Sequence, residues 1–173
     1  MITDVLLDHA ALVPVALLGV ALGCVLLGAA VLRSRRPVPR VLGTLLGLSL
    51  LPAVALTLVP TGNSRIDAAR CTVQFSLPTL GSVELLANLA LFVPPAFLGT
   101  LLSRRPLVVV AVAAAASALI EALQAVVPAL GRACDTTDWT MNTAGAVVGG
   151  LLAVGTRALA GRRHDDRDPV AHG

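Results

Sequence analysis

Residues 10–32 read AALVPVALLGVALGCVLLGAAVL, a run without a single charged side chain. At 1.5 Å of rise per residue such a run crosses the roughly 30 Å hydrocarbon core of a bilayer as one helix. The flanks say which kind of apolar run this is. A signal peptide carries positive charge ahead of its apolar stretch. Here Asp4 and Asp8 come first, with no arginine, and RSRRPVPR follows, bearing Arg33, Arg35, Arg36 and Arg40. The run is therefore read as a helix that stays in the membrane.

Four more apolar runs follow, at residues 41–60, 83–102, 107–127 and 139–160. Hydrophobic residues make up 56% of the 173-residue chain and charged residues 13%, with a mean hydropathy of +0.86. Soluble domains carry about a quarter charged residues, and a soluble core could not hide this much apolar surface. The expected fold class is all-α: a polytopic transmembrane bundle of five helices. Residues 1–160 form the membrane domain, and residues 161–173 a charged tail that is expected to be disordered. All cationic side chains other than histidine are arginines, and lysine and tyrosine are absent. That bias, with abundant Ala, Leu, Val and Gly, fits a GC-rich bacterial gene.

Arginine placement sets the expected orientation. One side of the membrane receives Arg33 to Arg40, Arg104, Arg105 and the tail residues Arg162, Arg163 and Arg167. The other receives Arg65, Arg70 and Arg132, mixed with Asp67, Asp135 and Asp138. Positive loops stay in the cytoplasm, so the N-terminus is expected outside and the C-terminus inside a bacterial plasma membrane. The clusters between apolar runs point to anionic lipid as their partner, and not to nucleic acid.

Pairs of glycines four apart, Gly19/Gly23, Gly43/Gly47 and Gly145/Gly149, have the spacing that lets helices approach closely in lipid. Glycine is also simply common in membrane helices. Pro94 and Pro95 fall inside the third run, where a kink or an irregular turn is expected. Of the three cysteines, Cys24 lies within the first run and reads as a small hydrophobe. Cys71 and Cys134 fall in the two connections assigned to the outer side. An oxidising compartment permits a disulfide there, and one is expected.

Polar residues inside apolar runs are the candidate site. Glu121 lies within the fourth run, where a charge costs about 2.5–3.5 kcal/mol at mid-helix. Gln124 shares its face three residues on. Glu84 and Asn88 are four apart at the start of the third run, and Asp138 and Asn142 four apart at the start of the fifth. With Arg132 and Asp135 in the intervening turn, all these residues converge on the outer half of the membrane. The plain alternative is interhelical hydrogen-bonding glue, worth about 0.6–2 kcal/mol per contact. A hard-metal site of carboxylate oxygens is a minor alternative, and zinc is disfavoured because His9, His164 and His172 lie elsewhere. No cofactor is expected, since neither a nucleophile elbow nor a phosphate-binding loop is present.

Residues 84–99, ELLANLALFVPPAFLG, and residues 120–150, IEALQAVVPALGRACDTTDWTMNTAGAVVGG, resemble the two signatures of the VanZ-like family. The resemblance spans about Glu84 to Gly150. It lays the family's polar positions on Asn88, Glu121, Gln124, Arg132, Asp135, Asp138 and Asn142. Pro95 and Ala96 depart from it, standing where the family commonly has a hydrophobic residue and glycine. The family takes its name from a membrane protein associated with low-level teicoplanin resistance. What the resemblance implies is a cell-envelope membrane protein, with antibiotic resistance as one outlet.

The leading expectation is that the outer polar cluster binds a polar or amphiphilic ligand: a lipid headgroup, a lipid-linked wall precursor or a glycopeptide antibiotic. Arg132 would pair with phosphate or carboxylate, while Asn88, Gln124 and Asn142 orient the ligand. Glu84, Glu121, Asp135 and Asp138 complete the set. A second expectation is an intramembrane enzyme acting on a lipid-linked substrate, with Glu121 as acid or base and Asp138 as its partner. A third is a small transporter or a subunit of a membrane complex, against which the lack of visible inverted repeats counts.

Overall fold

A computed structural model describes residues 12–34, 37–58, 71–73, 82–130 and 134–165. Within them lie five long helices: α1 (Val13–Arg33), α2 (Val38–Leu58), α3 (Val83–Ser103), α4 (Pro106–Val126) and α5 (Thr136–Asp165), with a 3-10 turn at Pro128–Leu130. Each is long and apolar enough to cross a membrane. The surface demands one. Leu18, Leu22 and Leu26, at four-residue steps on α1, are 71%, 60% and 61% exposed, and Leu107, Val112, Leu119 and Leu151 are also exposed. Water would not tolerate such stripes, whereas lipid solvates them. The chain is a multi-pass membrane protein.

Proline marks the helix starts. Pro106 occupies the first position of α4, where its missing N–H is no loss. The α3–α4 connection is a tight one: Arg104 adopts a left-handed backbone with φ 60°, and its N–H caps the Thr100 carbonyl at 2.9 Å. α3 runs unbroken through Pro94 and Pro95, so the irregular turn expected there is absent. Their neighbours hold the turn in place, since Val93, Pro95, Ala96 and Phe97 are all buried. α5 continues through residues 161–165, which the sequence assigned to a disordered tail. Residues 166–173 lie outside the described residues.

α3 is the centre of the bundle, with half of its span buried against 11–33% for the other four. Its closest neighbour is α5. A Cβ added at Gly145 would overlap the carbonyl of Leu89, and one added at Gly149 would overlap the carbonyl of Val93. Because both partners advance together, α3 and α5 run parallel. Only this glycine pair acts as a backbone seam: Gly19, Gly23, Gly43 and Gly47 have nothing within 4 Å. Gly28 matters singly, because an added Cβ would lie 2.6 Å from the Phe97 ring. Val31, Leu42, Phe97, Leu98, Leu101 and Ala153 form the apolar core near the arginine-bearing end.

Candidate functional site

The opposite end of the bundle is polar. Cys71 and Cys134 form a disulfide, their Cα atoms 4.5 Å apart across a sequence separation of 63. It brings the segment 71–73 against the start of α5. The Thr72 N–H donates to the Cys134 carbonyl at 2.9 Å, and the Thr136 N–H donates to the Thr72 carbonyl at 3.2 Å, a single parallel bridge.

Beneath this clasp the start of α5 is capped twice. Asp135 is the N-cap, and its Oδ1 accepts the Thr137 N–H at 2.7 Å. Asp138 stands at the third helical position, three residues past the cap. In the usual capping box that third residue reaches back to the N–H of the cap residue. Here the Asp135 N–H donates instead to Glu121 Oε2 of α4, at 2.8 Å. Glu121 thus closes the cap from another helix. The electropositive helix start explains how a carboxylate is held at this depth. Asp135 and Asp138 lie within electrostatic reach of Glu121, so three acidic groups share one helix N-terminus.

Further bonds tie the cluster to its surroundings. Asn142 Nδ2 donates to Ser117 Oγ at 2.9 Å, with both residues buried. Asn142 Oδ1 is buried and has no hydrogen-bond partner among the described residues. Gln124 Nε2 donates to the Thr57 carbonyl near the end of α2 at 3.0 Å. Trp139 Nε1 donates to the Ala114 carbonyl of α4 at 3.0 Å.

Of the residues the sequence singled out, Glu121, Gln124 and Asn142 are buried, while Asp135 and Asp138 are half-buried. Glu84 is exposed on the first turn of α3 and Asn88 is half-buried; among the described residues neither makes a side-chain hydrogen bond or ion pair. Arg132 lies outside the described residues. No group of three His, Cys, Asp or Glu side chains suited to a metal ion occurs among the described residues. Sequence reasoning did not find Thr57 and Trp139. Thr57 acts through its carbonyl, which carries no residue-specific signal. Trp139 was read only as the edge of an apolar run, although an indole beside a membrane surface needs a partner for its N–H.

Gln124 makes a single bond to α2, so Gln124→Leu is expected to lower bundle stability by about 0.6–1.7 kcal/mol, the range for interhelical hydrogen bonds in membranes. Reversible unfolding in mixed micelles measures it. An unchanged midpoint would mean that the α2–α4 bond carries no net stability.

A five-helix membrane bundle with one acidic, disulfide-clasped end defines the class. The sequence matches VanZ/LLP1 over residues 24–158, and the chain belongs to that family. No curated protein and no solved structure matches it.

Proposed function

We propose that this chain is an envelope protein of the bacterial plasma membrane whose clasped end, on the outer side, binds the polar part of an amphiphilic ligand. The observation that supports it is Asn142 Oδ1, buried and without a partner among the described residues. A buried acceptor left unpaired costs about 1–3 kcal/mol, and a ligand's donor would offset that. The surroundings are rich in acceptors, with the carboxylates of Glu121, Asp135 and Asp138 at the same helix start. The fitting ligand brings hydroxyl or ammonium donors, as a lipid headgroup, a lipid-linked wall precursor or a glycopeptide antibiotic does. Arg132, three residues before Asp135, would take a phosphate or carboxylate of the same molecule.

One observation favours a second reading. Glu121 and Asp138 interact across the start of α5, and two carboxyl groups in reach of each other suit acid–base work on a lipid-linked substrate.

Native mass spectrometry of the full-length protein with teicoplanin and with a polyprenyl-linked muropeptide separates the two. On the binding reading at least one probe is retained, and Asn142→Leu weakens it about tenfold, equivalent to about 1.4 kcal/mol. Failure of the parent protein to retain either probe counts against this reading. Retention that survives Glu121→Gln while the cellular phenotype is lost favours the enzyme.

A further inference from the structure

At the end of the bundle away from the disulfide, α1, α2, α3 and α5 surround a cavity of about 440 Å³. Its lining is of two kinds. Leu32, Leu42 and Leu101 give it an apolar wall, whereas Arg104 brings a cation from the α3–α4 connection and Arg157 one from α5. Neither arginine has a hydrogen bond or an ion pair to its side chain among the described residues. Glu84, Glu121, Asp135 and Asp138 lie toward the disulfide end of the bundle, whereas Asp165, the last residue of α5, is at the same end as the cavity. Exposed Arg104 and half-buried Arg157 therefore line one open groove beside an apolar wall.

Arg157 is unusual for its position, lying within a membrane span. It follows Gly149 and Ala153 at four-residue steps, and these two fix the direction of that helix face. Gly149 abuts the α3 backbone and Ala153 is fully buried. The Arg157 stem accordingly leaves from the α3–α5 seam, along which a long side chain can carry its charge toward the membrane surface. Arg104 sits in the left-handed region at φ 60°, the only non-glycine residue at positive φ among those described. That conformation is the left-handed cap that ends α3, and it places the Arg104 side chain at the mouth of the groove.

We propose that Arg104 and Arg157 hold the phosphate of one anionic phospholipid, whose acyl chain lies against Leu32, Leu42 and Leu101. Guanidinium groups bind phosphate oxygens in bidentate fashion. A zwitterionic lipid brings its own ammonium to the site and so leaves the net charge of the two arginines unbalanced. A singly anionic lipid balances one of the two positive charges, its phosphate oxygens are shared between both guanidinium groups, and its acyl chain covers the apolar wall. Juxtamembrane arginine clusters attract such lipids in general. The assignment here is narrower, naming one cavity and two residues.

The test uses full-length protein, stripped of lipid and titrated with phosphatidylglycerol or phosphatidylcholine of identical chains, with retained lipid counted by native mass spectrometry. One phosphatidylglycerol should be retained at least about tenfold more tightly than phosphatidylcholine. Arg104→Gln and Arg157→Gln should each reduce that preference, and the double variant should abolish it. Arg105→Gln, beside the cavity but not lining it, should leave the preference unchanged. Equal retention of the two lipids overturns the proposal, as does an unaltered preference in Arg104→Gln, which decides the matter alone should Arg157→Gln fail to fold. A preference that rises when Asp165, Asp166 and Asp168 are all changed to asparagine also overturns it, because the tail would then be the occupant.

Discussion

Gly145→Val is expected to leave little folded protein, because it places side-chain carbons where α5 touches the α3 backbone. An added Cβ at Gly145 meets the carbonyl of Leu89, with Leu89 Cα a further contact at 3.2 Å. The neighbour is main chain inside a helix, so it cannot rotate away as a side chain would. Overpacking a tight interior costs about 1–3 kcal/mol, and a β-branched side chain on a backbone contact belongs at or beyond the top of that range. Gly149→Val repeats the insult one turn on, against the Val93 carbonyl and the Phe97 nitrogen at 2.9 Å. Since folded proteins are stable by only about 5–15 kcal/mol, the double variant should not survive extraction. Gly43→Ala is the control, with nothing within 4 Å of its added Cβ. It should be neutral or slightly stabilising, because alanine loses less backbone entropy on entering a helix. Monodisperse yield and melting temperature in detergent measure all of these. Equal tolerance at Gly145 and Gly43 would show that α3 and α5 do not pack by this seam.

That contrast also shows what could be read from the chain. Length and hydropathy delimit helices well in lipid, because the bilayer imposes one thickness on every span. The five runs accordingly lie on the five helices to within a few residues. Spacing alone could not say which glycines matter. All three pairs share the same four-residue step, and only contact with α3 separates Gly145/Gly149 from the others. Pro94 and Pro95 each remove a backbone donor, which predicts a kink or an irregular turn; the irregular turn does not form, and α3 stays helical through both with Val93, Ala96 and Phe97 buried around them.

The candidate site was legible in its members more than in their arrangement. Glu121, Gln124 and Asn142 declared themselves as polar groups within apolar runs, and all three are buried. Their partners were not readable: a backbone N–H for Glu121, a backbone carbonyl for Gln124 and a small hydroxyl for Asn142. Backbone groups are the same at every residue, so only the fold reveals which ones are in reach. Arg157 was missed for the opposite reason. Its long apolar stem let it pass inside an apolar run, and the direction of its face became evident only from Gly149 and Ala153.

Removing the disulfide should produce the second large effect. With Cys71 and Cys134 63 positions apart, chain entropy alone assigns the crosslink about 4 kcal/mol. Helices that stay inserted in the membrane already restrict the unfolded chain, so about 2–4 kcal/mol is expected for Cys71→Ser/Cys134→Ser. More than stability is at stake, because Cys134 adjoins Asp135, the residue whose N–H Glu121 accepts. If the crosslink positions that N–H, Glu121→Gln should cost less in the disulfide-free background than in the parent. A coupling of about 0.5–3 kcal/mol is expected for groups in such direct contact. Additive effects would mean that the clasp and the helix cap act independently. The same cysteines also test the orientation. A membrane-impermeant maleimide added to intact cells should label Cys71 and Cys134 only after reduction, since both are then outside and paired. Labelling without reduction would break the pair, and no labelling under either condition would place the clasped end in the cytoplasm, taking the outer-ligand reading with it.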